Sequence, residues 1–352
     1  MHRSVISLFT AISMALMLCA CGNTSSESTS ADTIVVSASL PSSADSSSEA
    51  LAEPPAEPTS EPTEEPTAEP TDVLTPEPTE EPTPEPTEAP AQESTEILSS
   101  YENGQPVYLD PNWEFASYSM INTGNAVMYT ATENRKNIII GVNAGHGTSG
   151  GSSVYTYCHP DYTPKVTGGS TGEGAVQATA VSTGMTFYDG TPEATVTLRM
   201  AQILRDLLLS QGYDVLMIRD GDDVQLDNIA RTVICNNVAD CHIALHWDGD
   251  GFSYDKGCYY MSVPSALEYM YPVSVTWPLS EQLGNCLVSG LSSNGIALFE
   301  GGAMDSDLTQ TSYSTIASVD IELGNSASDH SDETLTALAW GLLAGINMYF
   351  GQ

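Results

Sequence analysis

Seven Glu-Pro-Thr triplets, starting at Glu57, Glu61, Glu65, Glu69, Glu77, Glu81 and Glu85, restrict where this chain can fold. Proline has a fixed φ and no amide hydrogen, so at this density it blocks helices and sheet ladders and favours extended polyproline II. Residues 21–100 are rich in Ser, Thr, Glu and Pro, and from Gly22 onward they hold 18 acids and no Lys or Arg. The sequence predicts a disordered spacer there. At roughly 3.1 Å per residue it reaches at most about 240 Å. A folded core must therefore come from residues 101–352. That part is acidic too, with 28 Asp and Glu against 8 Lys and Arg, in a chain of net charge −37. Nothing there would neutralise a phosphate backbone, which excludes nucleic acid as a partner.

The N-terminus has a short positive start, Met1-His2-Arg3, followed by an apolar run from Val5 to Leu18. The run is too short to span a membrane and fits the apolar region of a signal peptide. It ends in Leu18-Cys19-Ala20-Cys21, which resembles a bacterial lipobox. Residues 1–20 then read as a lipoprotein signal peptide and Cys21 as the lipidated residue. The expected location is the outer face of the bacterial cytoplasmic membrane, facing the wall, held through a lipid anchor. The competing reading is an ordinary signal peptide cleaved nearby. Cysteines 158, 235, 241, 258 and 286 remain in the folded part, and their spacings resemble no zinc knuckle and assign no pairs.

Residues 101–136, with Tyr108, Trp113, Phe115 and Tyr118, read as an N-terminal extension, and 137–352 as the main domain. Asn137 to Asn143 (NIIIGVN) is a continuous apolar run, as in a central strand buried on both faces. Thr191-Pro192-Glu193 predicts an N-cap with proline at the first helical position. Val196, Met200, Ile203, Leu204 and Leu207 follow at helical spacing until Gly212. Strands are expected over 213–218, 241–247, 257–263 and 318–323, and helices over 226–238, 279–291 and 334–349. This alternation predicts an α/β fold, a three-layer sandwich whose mostly parallel central sheet is flanked by helices.

Four residues sit where a predicted strand ends or a helix begins, the place where open parallel sheets gather ligands. His146 follows the first strand, Glu193 lies in the first helical turn, His246 ends one strand and Glu322 lies near the end of another. Two imidazoles and a carboxylate make a three-ligand zinc site with one position left for water. A further carboxylate is then needed to move the water's proton. Several bland readings compete. His242 shares the strand face of His246 and reads as structural. Glu193 competes with Glu173, but no helix follows Glu173. His159 and His330 read as surface residues, and Trp247, Asp248 and Asp250 as either cleft lining or an exposed turn.

From Asn137 onward the chain resembles the amidase-3 family of zinc-dependent N-acetylmuramoyl-L-alanine amidases. The resemblance rests on Gly145-His146-Gly147, on Glu193 with Gly212-Tyr213-Asp214-Val215, and on Ile218-Arg219 with Arg231. It continues through Ala239-Asp240, Ala244-Leu245-His246 and Ile321-Glu322-Leu323-Gly324. It implies zinc on His146, Glu193 and His246, with Glu322 as the general base. The implied reaction is hydrolysis of the amide between N-acetylmuramic acid and L-alanine in peptidoglycan, for cell-wall remodelling. The sequence departs from the family at Asn143 (an Asp in the family), at Ala244 (Ser) and at Asp248 (Asn). The 46 residues between His146 and Glu193 are a long insertion, expected to loop over the site. The alternative is a non-catalytic peptidoglycan-binding or regulatory lipoprotein on the same fold. A solute-binding lipoprotein fits less well, because it needs two lobes.

Overall fold

The structure, a computed structural model, describes residues 101–352. The expected signal peptide, Cys21 and the expected spacer lie outside the described residues. In chain order the elements are β1 (Gln105–Val107), β2 (Ala126–Tyr129), β3 (Ile139–Ala144), β4 (Tyr155–Tyr157), β5 (Gln177–Thr179) and α1 (Glu193–Ser210). Then come β6 (Asp214–Met217), α2 (Asn228–Val238), β7 (Cys241–Asp248), β8 (Cys258–Ser262) and α3 (Val273–Ser293). The chain closes with β9 (Leu298–Asp305), α4 (Thr309–Ser312), β10 (Ser318–Asn325) and α5 (Asp332–Phe350).

Eight strands form one sheet in the order β1-β2-β6-β3-β7-β10-β8-β9. Its central four, β6-β3-β7-β10, run parallel, as crossover helices α1 and α2 require. The antiparallel pairs are β1 with β2, β2 with β6, and β10 with β8. Strand alternation divides the core. Ile140 and Val142, Val215 and Met217, Ile243 and Leu245 pack with Leu204, Leu287 and Leu342 in a layer of α1, α3 and α5. Ile139, Leu216 and Ile218 face the other way, against Ala230 and Ile234 of α2. The fold is α/β with a mostly parallel sheet between helical layers, as the sequence predicts.

Local differences have identifiable reasons. Helix α1 begins at Glu193 with Pro192 in the capping position, and no side chain caps it, so Thr191 does not act as the predicted N-cap. Helix α3 starts six residues before the predicted 279 and carries Pro278 inside, because tertiary packing overrides local propensity. Strand β9 escapes sequence reading because its Gly301-Gly302 pair interrupts alternation. The extension 101–136 supplies β1 and β2 to the sheet's edge, and the insertion carries its own two-stranded β4-β5 sheet. The five described cysteines are free thiols.

Candidate metal centre and cleft

The site forms at the carboxyl ends of β3, β7 and β10, on the sheet face toward α2. His246 and Glu322 are register partners on adjacent strands, and Asp320 lies opposite Ala244 on the same face. The turn after β3 brings His146 across from them. His146 adopts φ 64°, an uncommon left-handed backbone that aims its ring inward. Gly145 allows this approach: a Cβ there would lie 2.2 Å from Cε1 of His246. At Gly184, with φ +82°, a Cβ would meet Oε2 of Glu193 and Cδ2 of His146, each at 2.7 Å.

Oε1 of Glu193 lies 2.9 Å from Nε2 of His146 and 3.1 Å from Nδ1 of His246, and those two nitrogens are 3.0 Å apart. The outer nitrogens have partners of their own. Nδ1 of His146 donates to the Ser182 carbonyl at 2.9 Å, and Nε2 of His246 faces Oδ2 of Asp320 at 3.6 Å. A proton on each outer nitrogen would leave the inner nitrogens free to offer lone pairs to a shared cation. Three such groups converging on one point are what a cation needs, and the His-His-Glu donor set suits zinc. Glu193 is fixed by the amides of Met185, at 2.8 Å to Oε2, and Trp247, at 3.0 Å to Oε1.

The electrostatics show the same deficit of positive charge. Burial opposes the charged form of His246, yet Asp320, Glu193 and Glu322 outweigh it and push its pKa up to about 10. Burial would raise the Glu193 carboxyl, but hydrogen bonds from His146 and His246 hold it well below the usual carboxylate range. Asp320 and Glu322 are raised, chiefly by burial. Oε2 of Glu322 and Oδ1 of Asp320 are buried with no hydrogen-bond partner. A buried, unpaired carboxylate is costly unless a ligand or a reaction uses it.

These residues line a cleft of about 640 Å³. Its walls include Gly169, Ser170 and Val181–Gly184 of the insertion and Ser306, Leu308, Thr309 and Gln310 after β9. The insertion therefore reaches the site through Ser182 and Met185 as well as bordering it. Arg231 is fully buried and donates to Asn143 Oδ1, the Ala144 carbonyl and the His146 carbonyl, at 3.0, 3.1 and 2.6 Å. Asn143, where the resemblance expects an aspartate, thus accepts from the arginine. Asp248 accepts from Lys256 and from Tyr259, so its extra charge relative to Asn is balanced by an amine.

The structure brings all four sequence-chosen residues, His146, Glu193, His246 and Glu322, to this cleft. His242 is buried, with Nδ1 3.2 Å from Ser318 Oγ, and is not part of the cluster; Glu173 is likewise apart. His159, expected at the surface, is fully buried, because Asp307 Oδ1 at 2.8 Å and the Thr163 carbonyl at 2.5 Å satisfy both ring nitrogens. His330 is partly exposed, 3.2 Å from Asp189. Asp320 escaped sequence reading, although the alternation Val319-Asp320-Ile321-Glu322 places both acids on one strand face.

The protein-family comparison matches residues 140–342 to the family described as N-acetylmuramoyl-L-alanine amidase. Among solved structures, the fold is similar to the amidase Ami1 of Mycobacterium smegmatis, at 19% identity over 61% of this chain and 97% of that one, TM-score 0.51. Ami1 of Mycobacterium abscessus in its apo form gives 20% identity over 60% and 98%, TM-score 0.48. The amidase of Clostridium difficile 630 gives 15% identity over 61% and 97%, TM-score 0.44. No curated protein matches the chain by sequence. The family match covers more than half of the chain and contains every residue of the cluster, and on that ground this chain belongs to the N-acetylmuramoyl-L-alanine amidase family.

Proposed function

We propose that the chain uses zinc, held by His146, Glu193 and His246, to hydrolyse the amide between N-acetylmuramic acid and L-alanine, and that it serves cell-wall remodelling. The observation that carries this reading is the convergence of three acceptors beside the unpartnered carboxylate of Glu322. When bound, zinc would acidify water in the cleft and polarise an amide carbonyl. Ser182 and Asp320 hold the two imidazoles so that their inner lone pairs stay available. Glu322 takes the water's proton and delivers it to the departing alanine amine. Its burial suits that task, because a carboxylate with raised proton affinity keeps the proton until the amine leaves. A non-catalytic role fits less well, since it gives no reason to keep that carboxylate buried and unpaired. Cys21 and the spacer would tether the domain outside the cytoplasmic membrane with reach into the wall.

The test is mass spectrometry of purified muropeptides incubated with the 101–352 unit and zinc. Free stem peptides are expected from the parent and not from Glu322→Ala, which should still bind zinc. Absence of free peptides with the parent, or equal release by Glu322→Ala, overturns the reading. Loss of zinc from His246→Ala checks the metal site separately.

A further inference from the structure

Away from the cluster, three separate chain segments build a row of aromatic rings at the surface. Tyr157 and Tyr162 of the insertion lie 4.5 Å apart between centroids. Tyr162 is 6.3 Å from Tyr118, Tyr118 is 6.1 Å from Phe115, and Phe115 is 6.2 Å from Tyr271. Tyr313 is fully buried beneath the row, 5.5 Å from both Phe115 and Tyr118. Above that base the row is open: Tyr162 is 52% exposed and Tyr271 54%. Soluble surfaces do not ordinarily leave contiguous aromatic area uncovered without a use.

The backbone adds an independent observation. Phe115 and Tyr162 adopt φ of 65° and 66°. Bulky side chains in the left-handed region are true outliers, each costing on the order of 1 kcal/mol or more. Both outliers belong to this row. Phe115 meets the Tyr313 base, and the turn closed by the Tyr162 amide on the His159 carbonyl at 3.2 Å presents the Tyr162 ring to the exposed line.

The row also connects to the catalytic cleft. His159, three residues before Tyr162, is bonded to Asp307, and Ser306 and Leu308 on either side of Asp307 line the cleft wall. Lys165 completes this buried lock with an ion pair to the same carboxylate at 3.7 Å. The aromatic surface is thus fixed to the wall beside which the substrate sits.

We propose that this tyrosine row is a second binding surface for the neutral glycan strand of peptidoglycan, a proposal that rests on the amidase reading above. Ring faces match the C–H faces of pyranose sugars, while the Tyr118 hydroxyl donates to the Pro160 carbonyl and the Tyr271 hydroxyl to Glu114. Charge selects among partners. Segments 114–118, 155–163 and 269–271 contain no Lys or Arg and bring Glu114 and Asp161, which repels phosphate-rich wall polymers and anionic lipid. The same acids disfavour the chain's own Glu-Pro-Thr segment, despite the general liking of polyproline for aromatic grooves. A strand engaged in the cleft continues beyond it, so one polymer meets both surfaces and gains by effective concentration.

The probe is soluble strands of N-acetylglucosamine, neutral sugars without the amide that an amidase cuts, titrated into the full chain. Tyr162→Gly combined with Tyr271→Ala removes two rings, and the glycine relaxes the strained φ. Binding is expected to weaken about tenfold. Tyr162→Gly alone should melt no lower than the parent, and Tyr162→Phe should bind strands like the parent. Hydrolysis of a short soluble muramoyl-peptide should be unchanged in the double variant. Equal strand binding by parent and double variant, or no binding by the parent, overturns the proposal. So does tighter binding after deletion of residues 22–100, which would mark the spacer as the row's occupant. Failure of the amidase reading is separate, because it appears as no hydrolysis of the short muramoyl-peptide by the parent.

Discussion

Arg231 holds the turn that carries His146, and removing its guanidinium should loosen both the fold and the metal site. The side chain is 1% exposed, and burial beside Arg219 draws its pKa down to about 9. Its donors reach the Leu226 carbonyl at 3.0 Å and Thr148 Oγ1 at 2.8 Å, besides Asn143, Ala144 and His146. In Arg231→Met not all of these acceptors are stranded. The Ala144 carbonyl keeps Arg219, and the Leu226 carbonyl keeps the Thr148 hydroxyl. Asn143 Oδ1 and the His146 carbonyl lose their side-chain donor. Two stranded buried acceptors at about 1–3 kcal/mol each give a loss of about 2–6 kcal/mol. Relief from burying the guanidinium offsets part of it, so the net expectation is about 3 kcal/mol. Urea unfolding of the metal-free protein reads this directly. Zinc affinity should fall about 10- to 100-fold, because the backbone behind a ligand has lost its support. Arg231→Lys should recover little, since an ammonium cannot span five acceptors. If Arg231→Met unfolds within about 0.5 kcal/mol of the parent and binds zinc equally, the positioning argument is wrong.

Gly290→Ala should destabilise the helical layer, because its Cβ would lie 2.3 Å from the Gly345 amide nitrogen and 2.4 Å from the Gly341 carbonyl on α5. Both neighbours are backbone, so α3 and α5 must separate. The overpacking cost of about 1–3 kcal/mol outweighs the gain of up to about 1 kcal/mol in helix propensity, and Tm should drop. His242 is predicted to make the fold acid-sensitive. Burial first, then Arg231, lower its pKa from 6.5 to about 3. As pH falls below 6.5 the unfolded chain takes up a proton that the folded chain refuses, so stability declines across the window from 6.5 to about 3. His242→Leu should flatten the slope of unfolding free energy against pH in that window by a few kcal/mol in total. An unchanged slope would mean His242 is not the buried neutral group described.

Much of the site was legible because strand ends and helix starts are local. The Asn137–Asn143 run fixed β3 and with it the place of His146, and the periodicity from Val196 onward fixed α1 and so placed Glu193 in its first turn. Glu322 stood out as a charge in an apolar strand. Asp320 was hidden by the same strand, since its meaning depends on β10 pairing with β7 and facing His246. The polar neighbours of His159 point to the surface, and only the distant Asp307 makes its burial affordable.

The sequence by itself determined the strand-helix alternation, the sheet's parallel centre and the four chemical groups at its edge, because hydrophobic period and motif order are properties of the chain. Tertiary structure alone decided which ring nitrogens face inward, which carboxylates are left without partners, and that the insertion grips His146 and Glu193 through Ser182 and Met185. It also decided that tyrosines from three segments form one row. Those facts depend on contacts between residues far apart in the chain, and burial sets the cost of leaving any of them unmade.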